Sequence, residues 1–264
     1  MKFVLAILVL LLMPAVYAGA QTVGTVTTSQ SPINLNAGST TTIDCLAIIT
    51  DTDNWNNITT VNATMWDNVA SAEGSADDNN NHYTNVSCGL GINDTETTRP
   101  VTCSVSLQYY ANPSTWTCKI RSYNSTIDLT SNSVDTTVNQ LVALDVTEAT
   151  VDFGTLALGA TSSSDVTATV QNNGNVQIDV NLTGSAFSCA TGSLDRETIH
   201  YNASSGIAYS SMTALSGTTA NLDLNVVKST GVASTALTYW KISLPASGAG
   251  GTCTDTITFT AVSG

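Results

Sequence analysis

Six cysteines, at 45, 88, 103, 118, 189 and 253, are the side chains with the most chemistry to offer. They can bind a metal as thiolates or form disulfides as pairs. A structural metal site needs ligands clustered a few residues apart. Here no two cysteines are closer than 15 residues, and the only histidines are His82 and His200. The even count reads instead as three disulfides, the usage of an oxidising compartment.

Other reactive sets are weaker. A Ser–His–acid hydrolase would place a serine in a Gly-X-Ser-X-Gly elbow, and none occurs. His200 lies in Ile199-His200-Tyr201, the pattern of a strand, and His82 ends an Asn-rich loop. Asp77-Asp78 is a carboxylate pair of the type glycosidases use, without aromatic residues nearby to form a cleft. Asp51-Thr52-Asp53-Asn54-Trp55-Asn56-Asn57 supplies oxygen ligands for Ca²⁺ but departs from the EF-hand, with Trp55 and Asn56 at its fifth and sixth places and Asn62 at its twelfth. An Asx-rich turn is the plainer reading. Trp55 and Trp66 flank sequons and could face a sugar, whereas Trp116 and Trp240 sit in core-like patterns. No catalytic residue, metal ligand or cofactor is assigned, and the chain is expected not to be an enzyme.

Asn-X-Ser/Thr occurs at Asn57, Asn62, Asn85, Asn93, Asn124, Asn181 and Asn202, while Asn112 is followed by Pro113 and does not count. In a strand reading Asn62 lies opposite Val61, Ala63 and Met65, and Asn181 opposite Val180 and Leu182, so both face solvent.

The elements that must hold these residues follow from composition. Thr (43), Ser (29) and Asn (23) dominate the 264 residues. Thr is stiff and β-branched, and Ser and Asn compete for backbone hydrogen bonds, which disfavours helices. With 20 acidic against 7 basic residues, the formal charge is −13, which excludes a phosphate-binding, nucleic-acid role. A basic start, Met1-Lys2, the apolar run Phe3–Val16 and the small residues Ala18-Gly19-Ala20 have the layout of a signal peptide, 1–20. No second apolar run of spanning length follows, so no membrane span is expected in the mature form.

Beyond residue 20 the chain reads as alternating strands between Gly, Asn, Asp and Ser clusters. Ile43, Cys45, Ala47 and Ile49 share one face, as do Val101, Cys103, Val105, Leu107 and Tyr109, and Trp116, Cys118 and Ile120. Residues 71–81 (SAEGSADDNNN) have little to bury and predict a long surface loop. The pattern restarts near 138–141. Leu141–Val146 and Val151–Gly154 read as strands, and Val166/Ala168/Val170 and Val176/Ile178/Val180/Leu182 as a hairpin around Asn172-Asn173-Gly174-Asn175. Leu222/Leu224/Val226, Trp240/Ile242/Leu244 and Ile257/Phe259 complete a second set. The expected organisation is all-β: an arm at 21–36, an immunoglobulin-like β-sandwich at 37–139 and a second β-sandwich at 140–264. The first half holds four cysteines and the second two, so neither needs a partner in the other. Among the many connectivities six cysteines allow, the expected one is Cys45–Cys118 joining two sheets, Cys88–Cys103 stapling a loop, and Cys189–Cys253 tying a mid-domain segment to the last strand.

Two stretches carry a resemblance. Thr42-Ile43-Asp44-Cys45-Leu46-Ala47, the loop at 51–54, and Tyr109 through Trp116-Thr117-Cys118-Lys119-Ile120 resemble immunoglobulin-like domains of prokaryotic surface proteins, with Trp116 two residues before Cys118 where a Tyr is usual. Val151–Leu156, Leu158-Gly159, Val170–Asn175, Trp240–Pro245 and Gly251-Thr252 resemble secreted archaeal surface and pilin-like β-sandwich domains. More loosely, they are similar to the bacterial biofilm-fibre and archaeal bundling-pilus family. That likeness implies subunits that polymerise by lending a strand to a neighbour.

The expected role is a secreted, cell-surface structural subunit of a pilus-like filament or S-layer coat. Its partners would be copies of itself or other surface proteins, and glycans would decorate it. A secreted adhesin or carbohydrate-binding module is the alternative. The arm 21–36 (QTVGTVTTSQSPINLN) could extend roughly 50 Å to a neighbour's sheet. Its imperfect alternation, and Pro32, equally suit an ordinary first strand.

Overall fold

The computed structural model describes residues 20–92, 95–124 and 127–264, with side chains for all of these except 124 and 127–129. The expected signal peptide, apart from Ala20, lies outside the described residues, as do sequon Asn93 and the side chain of Asn124. The protein is all-β. Among the described residues no helix is long and apolar enough to cross a membrane.

In the first half, nine strands run β1 Gln21–Val23, β2 Thr27–Thr28, β3 Thr41–Asp51, β4 Thr60–Asp67, β5 His82–Asn85, β6 Gly89–Leu90, β7 Thr98–Leu107, β8 Thr115–Asn124 and β9 Ile127–Thr137. They form two sheets, β1-β3-β7-β6 with β2 also on β3, and β5-β4-β8-β9. Every second residue of β3, from Thr41 to Asp51, is buried, and Val101, Cys103, Val105 and Leu107 of β7 point into the same cluster as Trp116, Cys118 and Ile120 of β8. Period-two alternation is what a half-buried pleated strand requires. The solvent side uses the hydroxyl residues: Thr42 and Ser106 sit opposite each other with oxygens 3.4 Å apart, and Ser104 bonds Asp44 at 2.5 Å. Cross-strand pairs of this kind let a Thr-rich outer face stabilise the ladder. Tyr109, expected on the β7 face, lies beyond the strand's end and is half-buried, while Tyr110 is the buried neighbour.

The arm is built into this sheet. Val23 pairs with Ile49 and Thr27 with Leu46 on the free edge of β3, and Val23, Val26, Ile33 and Leu35 are buried. β1 and β2 are therefore edge strands of their own sheet, and Ile33 bridges in parallel to Val138, just past β9 of the other sheet.

The second half adds β10 Leu144–Val146, β11 Val166–Asn172, β12 Ile178–Gly184, β13 Phe187–Leu194, β14 Ile199–Asn202, β15 Thr213–Ala214, β16 Ala220–Val226, β17 Ser234–Ile242, β18 Ala249–Thr254 and β19 Ile257–Ser263. They make a five-stranded sheet β10-β11-β17-β14-β15, a three-stranded sheet β16-β12-β19 and a ribbon β13-β18. A second apolar cluster, around Val170, Val180, Leu182, Leu215, Tyr201 and Trp240, fills the space between them.

Three sequence expectations are corrected here. β11 and β12 do not form a hairpin. β11 pairs with β10 and β17, and β12 with β16 and β19, so Asn172–Asn175 carries the chain from one sheet to another. The reason is a competing set of partners: Asn173 N–H donates to the Ala143 carbonyl and Asn175 N–H to that of Leu141. Gly174 is indispensable in that contact, because a Cβ there would come within 2.1 Å of the Leu141 oxygen. The expected strand Leu141–Val146 shortens to Leu144–Val146, since residues 141–143 are engaged by 173–175. Val151–Gly154 is no strand; Val151 and Phe153 pack against the second cluster as an extended segment without a ladder.

Candidate functional site

The structure brings together Cys45 with Cys118, Cys88 with Cys103, and Cys189 with Cys253, and leaves no free cysteine among the described residues. The first crosses between the two sheets of the first half with both residues fully buried. Cys88 follows β5 and is tied to β7. Cys189 and Cys253 are register partners in the half-exposed β13-β18 ribbon.

The Asp51–Asn57 loop spends its carboxylate on itself. Asp51 Oδ1 accepts from the Asp53 and Asn54 amides (3.0 and 3.1 Å) and from Asn57 Nδ2 (3.1 Å), and Oδ2 accepts from Gln21 Nε2 (3.0 Å). Burial works to raise the Asp51 pKa, but these donors outweigh it and hold the acid below its ordinary range. Trp55 is not free either: it packs on the first cluster, with the Arg99 guanidinium 5.0 Å above its ring. Trp116 and Trp240 are fully buried, and Trp66 is half-buried.

Both histidines are held as fold elements. His82 is buried, with Nδ1 2.8 Å from Asp77 and Nε2 3.1 Å from the Glu73 carbonyl. His200 stacks on Tyr209 and bonds its carbonyl. The loop at 71–81 lies at the surface but is tied down. Asp77 also accepts from Thr84 N and Oγ1, Asp78 from the Asn80 and Asn81 amides, and Glu73 pairs with Lys119 (3.1 Å) and Arg121 of β8. Nothing in the local composition signals the Glu73 pairings, because Lys119 and Arg121 lie more than 40 residues away.

The sequons divide by what their amide nitrogens do. Asn57 Nδ2 donates to Asp51, Asn62 Nδ2 to the Tyr123 hydroxyl (3.2 Å) and Asn85 Nδ2 to the Ser104 carbonyl (2.8 Å). Asn62 is half-buried, with an unpartnered buried Oδ1, rather than pointing freely to solvent. At Asn181 and Asn202 only the oxygens are engaged, by Asn221 Nδ2 and Ser204 N, so the nitrogens that would carry a glycan donate to no described residue.

Two surfaces missed in the sequence stand out. One is an apolar groove of about 1210 Å³ in the second half, lined by Val146, Val151, Phe153, Leu156, Phe187 and Phe259. It exists because the segment around 148–158 lies along the sheets without joining them. The other is the contact between the halves. Asn175 Nδ2 donates to the Ala111 and Asn139 carbonyls (3.0 Å each), its Oδ1 accepts from Leu141 N (2.7 Å), and the Tyr109 hydroxyl donates to Ser229 Oγ (3.0 Å). Lys228 Nζ donates to Asn112 Oδ1, to the Tyr110 carbonyl (3.2 Å) and to Asn80 Oδ1 (3.4 Å).

No protein-family model and no curated protein matches the chain. Among solved structures, trypsin-activated α2-macroglobulin from Escherichia coli aligns with 91% of this chain and 18% of its own, at 13% identity and a TM-score of 0.26. The native conformation of the E. coli α2-macroglobulin aligns with 91% of this chain and 16% of its own, at 13% identity and a TM-score of 0.28. The chain thus spans less than a fifth of the length of either.

Proposed function

We propose that the chain is a secreted, non-enzymatic structural subunit of an extracellular filament or cell-surface coat, built as two tandem immunoglobulin-like β-sandwiches. Copies assemble through strand and edge contacts. The observation that carries this reading is the pairing of a short-stranded arm with an open apolar groove. β1 and β2 contribute only five register pairs to β3, while the groove beside β10 offers the half-buried Phe153, Leu156 and Phe259 and the exposed Leu158 to a prospective partner. An arm that leaves one edge and adds to a neighbour exchanges like for like: the main-chain hydrogen bonds re-form, and Val23 and Val26 find apolar partners again. Three disulfides suit a subunit that works outside the cell.

Deleting the whole of 21–36 would also remove Ile33 and Leu35 from the first core, so the decisive variant is Leu158→Asp at the exposed rim of the groove. The unaltered protein should form filaments or sheets by electron microscopy. The variant should stay monomeric with an unchanged circular dichroism spectrum. An unaltered protein that stays monomeric at high concentration, or a variant that assembles as well as it does, defeats the reading.

A further inference from the structure

The contact between the halves contains a lysine, a carboxamide and a carboxylate in one chain of hydrogen bonds. Lys228 follows β16 and reaches back 116 residues to Asn112, in the β7–β8 connection. Asn112 is held from every side. Its N–H donates to the Asn80 carbonyl (2.9 Å), its carbonyl accepts from Trp116 Nε1 (2.9 Å), and its Nδ2 donates to Asp67 Oδ2 (3.0 Å) and to Asn81 Oδ1. Asp67, the last residue of β4, is buried. Tyr110 and Trp116 are buried beside it. Burial lowers the Lys228 pKa against the opposing pull of Asp67 and Asp78, which favours the free amine that a nucleophile needs. Among the described residues the other two lysines lack this set: Lys119 faces Glu73, and Lys241 faces Asp165 and the Ile207 carbonyl.

We propose that Lys228 and Asn112 become joined by an intramolecular isopeptide bond, with Asp67 carrying the proton. Lys228 reacts as the free amine. Its lone pair attacks Asn112 Cγ, and the attacking nitrogen then passes one proton to Asp67, which already accepts from Nδ2. Asp67 hands that proton to Nδ2 as the Cγ–Nδ2 bond breaks, and ammonia leaves. One C–N bond forms and one breaks, and nothing is oxidised or reduced. Fixed geometry supplies the rate, since the lysine amine already touches the Asn112 carboxamide beside the buried Asp67, Tyr110 and Trp116. The common rival fate of an asparagine, attack on its Cγ by the next backbone nitrogen, is closed because Pro113 has no N–H. The product would weld the two halves covalently, so that tension along the chain is carried past the hydrogen-bonded contact. This holds whether or not copies assemble.

The test is peptide mapping by tandem mass spectrometry of the folded, secreted protein after reduction and alkylation, using trypsin with a protease specific for acidic residues. The expected result is a branched peptide joining Lys228 to Asn112, lighter than its two parts by one ammonia, with no tryptic cleavage after Lys228. Localisation is essential, because cyclisation of an N-terminal Gln21 would lose the same mass. The Lys228→Arg variant should lose the branch while keeping any loss at Gln21. Asp67→Asn, checked for folding by circular dichroism, should also lose it. Separate Lys228 and Asn112 peptides of full mass from the unaltered protein overturn the bond, whatever the variants do. A branch that persists in Asp67→Asn overturns the role of Asp67.

Discussion

Replacing Asn175 by alanine should loosen the contact between the halves more than any other single change among the Asn172–Asn175 side chains. Asn175 is almost wholly buried and makes three hydrogen bonds to backbone groups, two of them across to Ala111 and Asn139 of the first half. Each bond contributes about 1 kcal/mol net, and a buried group left unpartnered costs about 1–3 kcal/mol. The Ala111 carbonyl belongs to a fully buried residue with little access to replacement water. The loss should therefore be about 3 kcal/mol, which in a chain of this size lowers the melting temperature by about 6–12 °C. Asn173→Ala is the matched control. Its half-exposed side chain accepts one bond, from Gln171 Nε2, so about 1 kcal/mol or less is at stake. Scanning calorimetry of both variants beside the unaltered protein reads the difference. Equal shifts, or an Asn175→Ala variant that melts with the unaltered protein, would refute the assignment of Asn175 as the pin.

Three further outcomes follow from the same contacts. Burial works to raise the Glu73 pKa, but Arg121 and Lys119 outweigh it and leave it depressed, so its contribution is full above the unfolded pKa and fades as pH falls through the folded one. The Glu73→Gln penalty, at most about 1 kcal/mol for this part-exposed cluster, should be visible in urea midpoints at neutral pH and shrink as the pH falls below the ordinary glutamate range. In a glycosylating host, glycopeptide mass spectrometry should find higher occupancy at Asn181 and Asn202 than at Asn57, Asn62 and Asn85, whose amide nitrogens are already engaged. Graded reduction with alkylation should open the half-exposed Cys189–Cys253 first and the fully buried Cys45–Cys118 last.

Alternation was the legible part of the fold. Ile43, Cys45, Ala47 and Ile49 declare an inward face because a strand with one wet side must repeat every two residues. The Asn172–Asn175 stretch misled for an equally physical reason: the properties that suit Asn and Gly to a two-residue turn also suit them to close backbone approach and to bridging carbonyls. Local sequence cannot choose between the two, because the choice lies with residues 141–143 and with Ala111, 64 positions from Asn175. The loop at 71–81 shows the same limit in part, since Asp77 and Asp78 tie it to near neighbours but its Glu73 is held by the distant Lys119 and Arg121. The groove could not be read at all: Val151 and Phe153 have a strand's composition, and only the sheet partners of β10 and β11 leave them unpaired.

The placement of the cations decides what kind of association this surface supports. The sequence has seven Lys and Arg, and Lys2 lies outside the described residues. Each of the other six is engaged within the fold. Arg99 bonds the Ile58 carbonyl, Lys119 and Arg121 hold Glu73, Arg196 bonds the Gly184 carbonyl, Lys228 meets Asn112, and Lys241 bonds the Ile207 carbonyl. Among the described residues most acids pair with no cation, so two copies approach as like-charged bodies with few cations free to bridge them. On the proposed filament reading, contacts between copies come from backbone edges and apolar surface, and the long-range charge term opposes them. Raising the salt shortens the screening length from about 10 Å at 0.1 M to about 3 Å at 1 M. Assembly should therefore strengthen with salt, read as a lower critical concentration in sedimentation assays. Filaments that dissolve in high salt would mean that ion pairs hold the copies together, and the edge-and-groove account would fail.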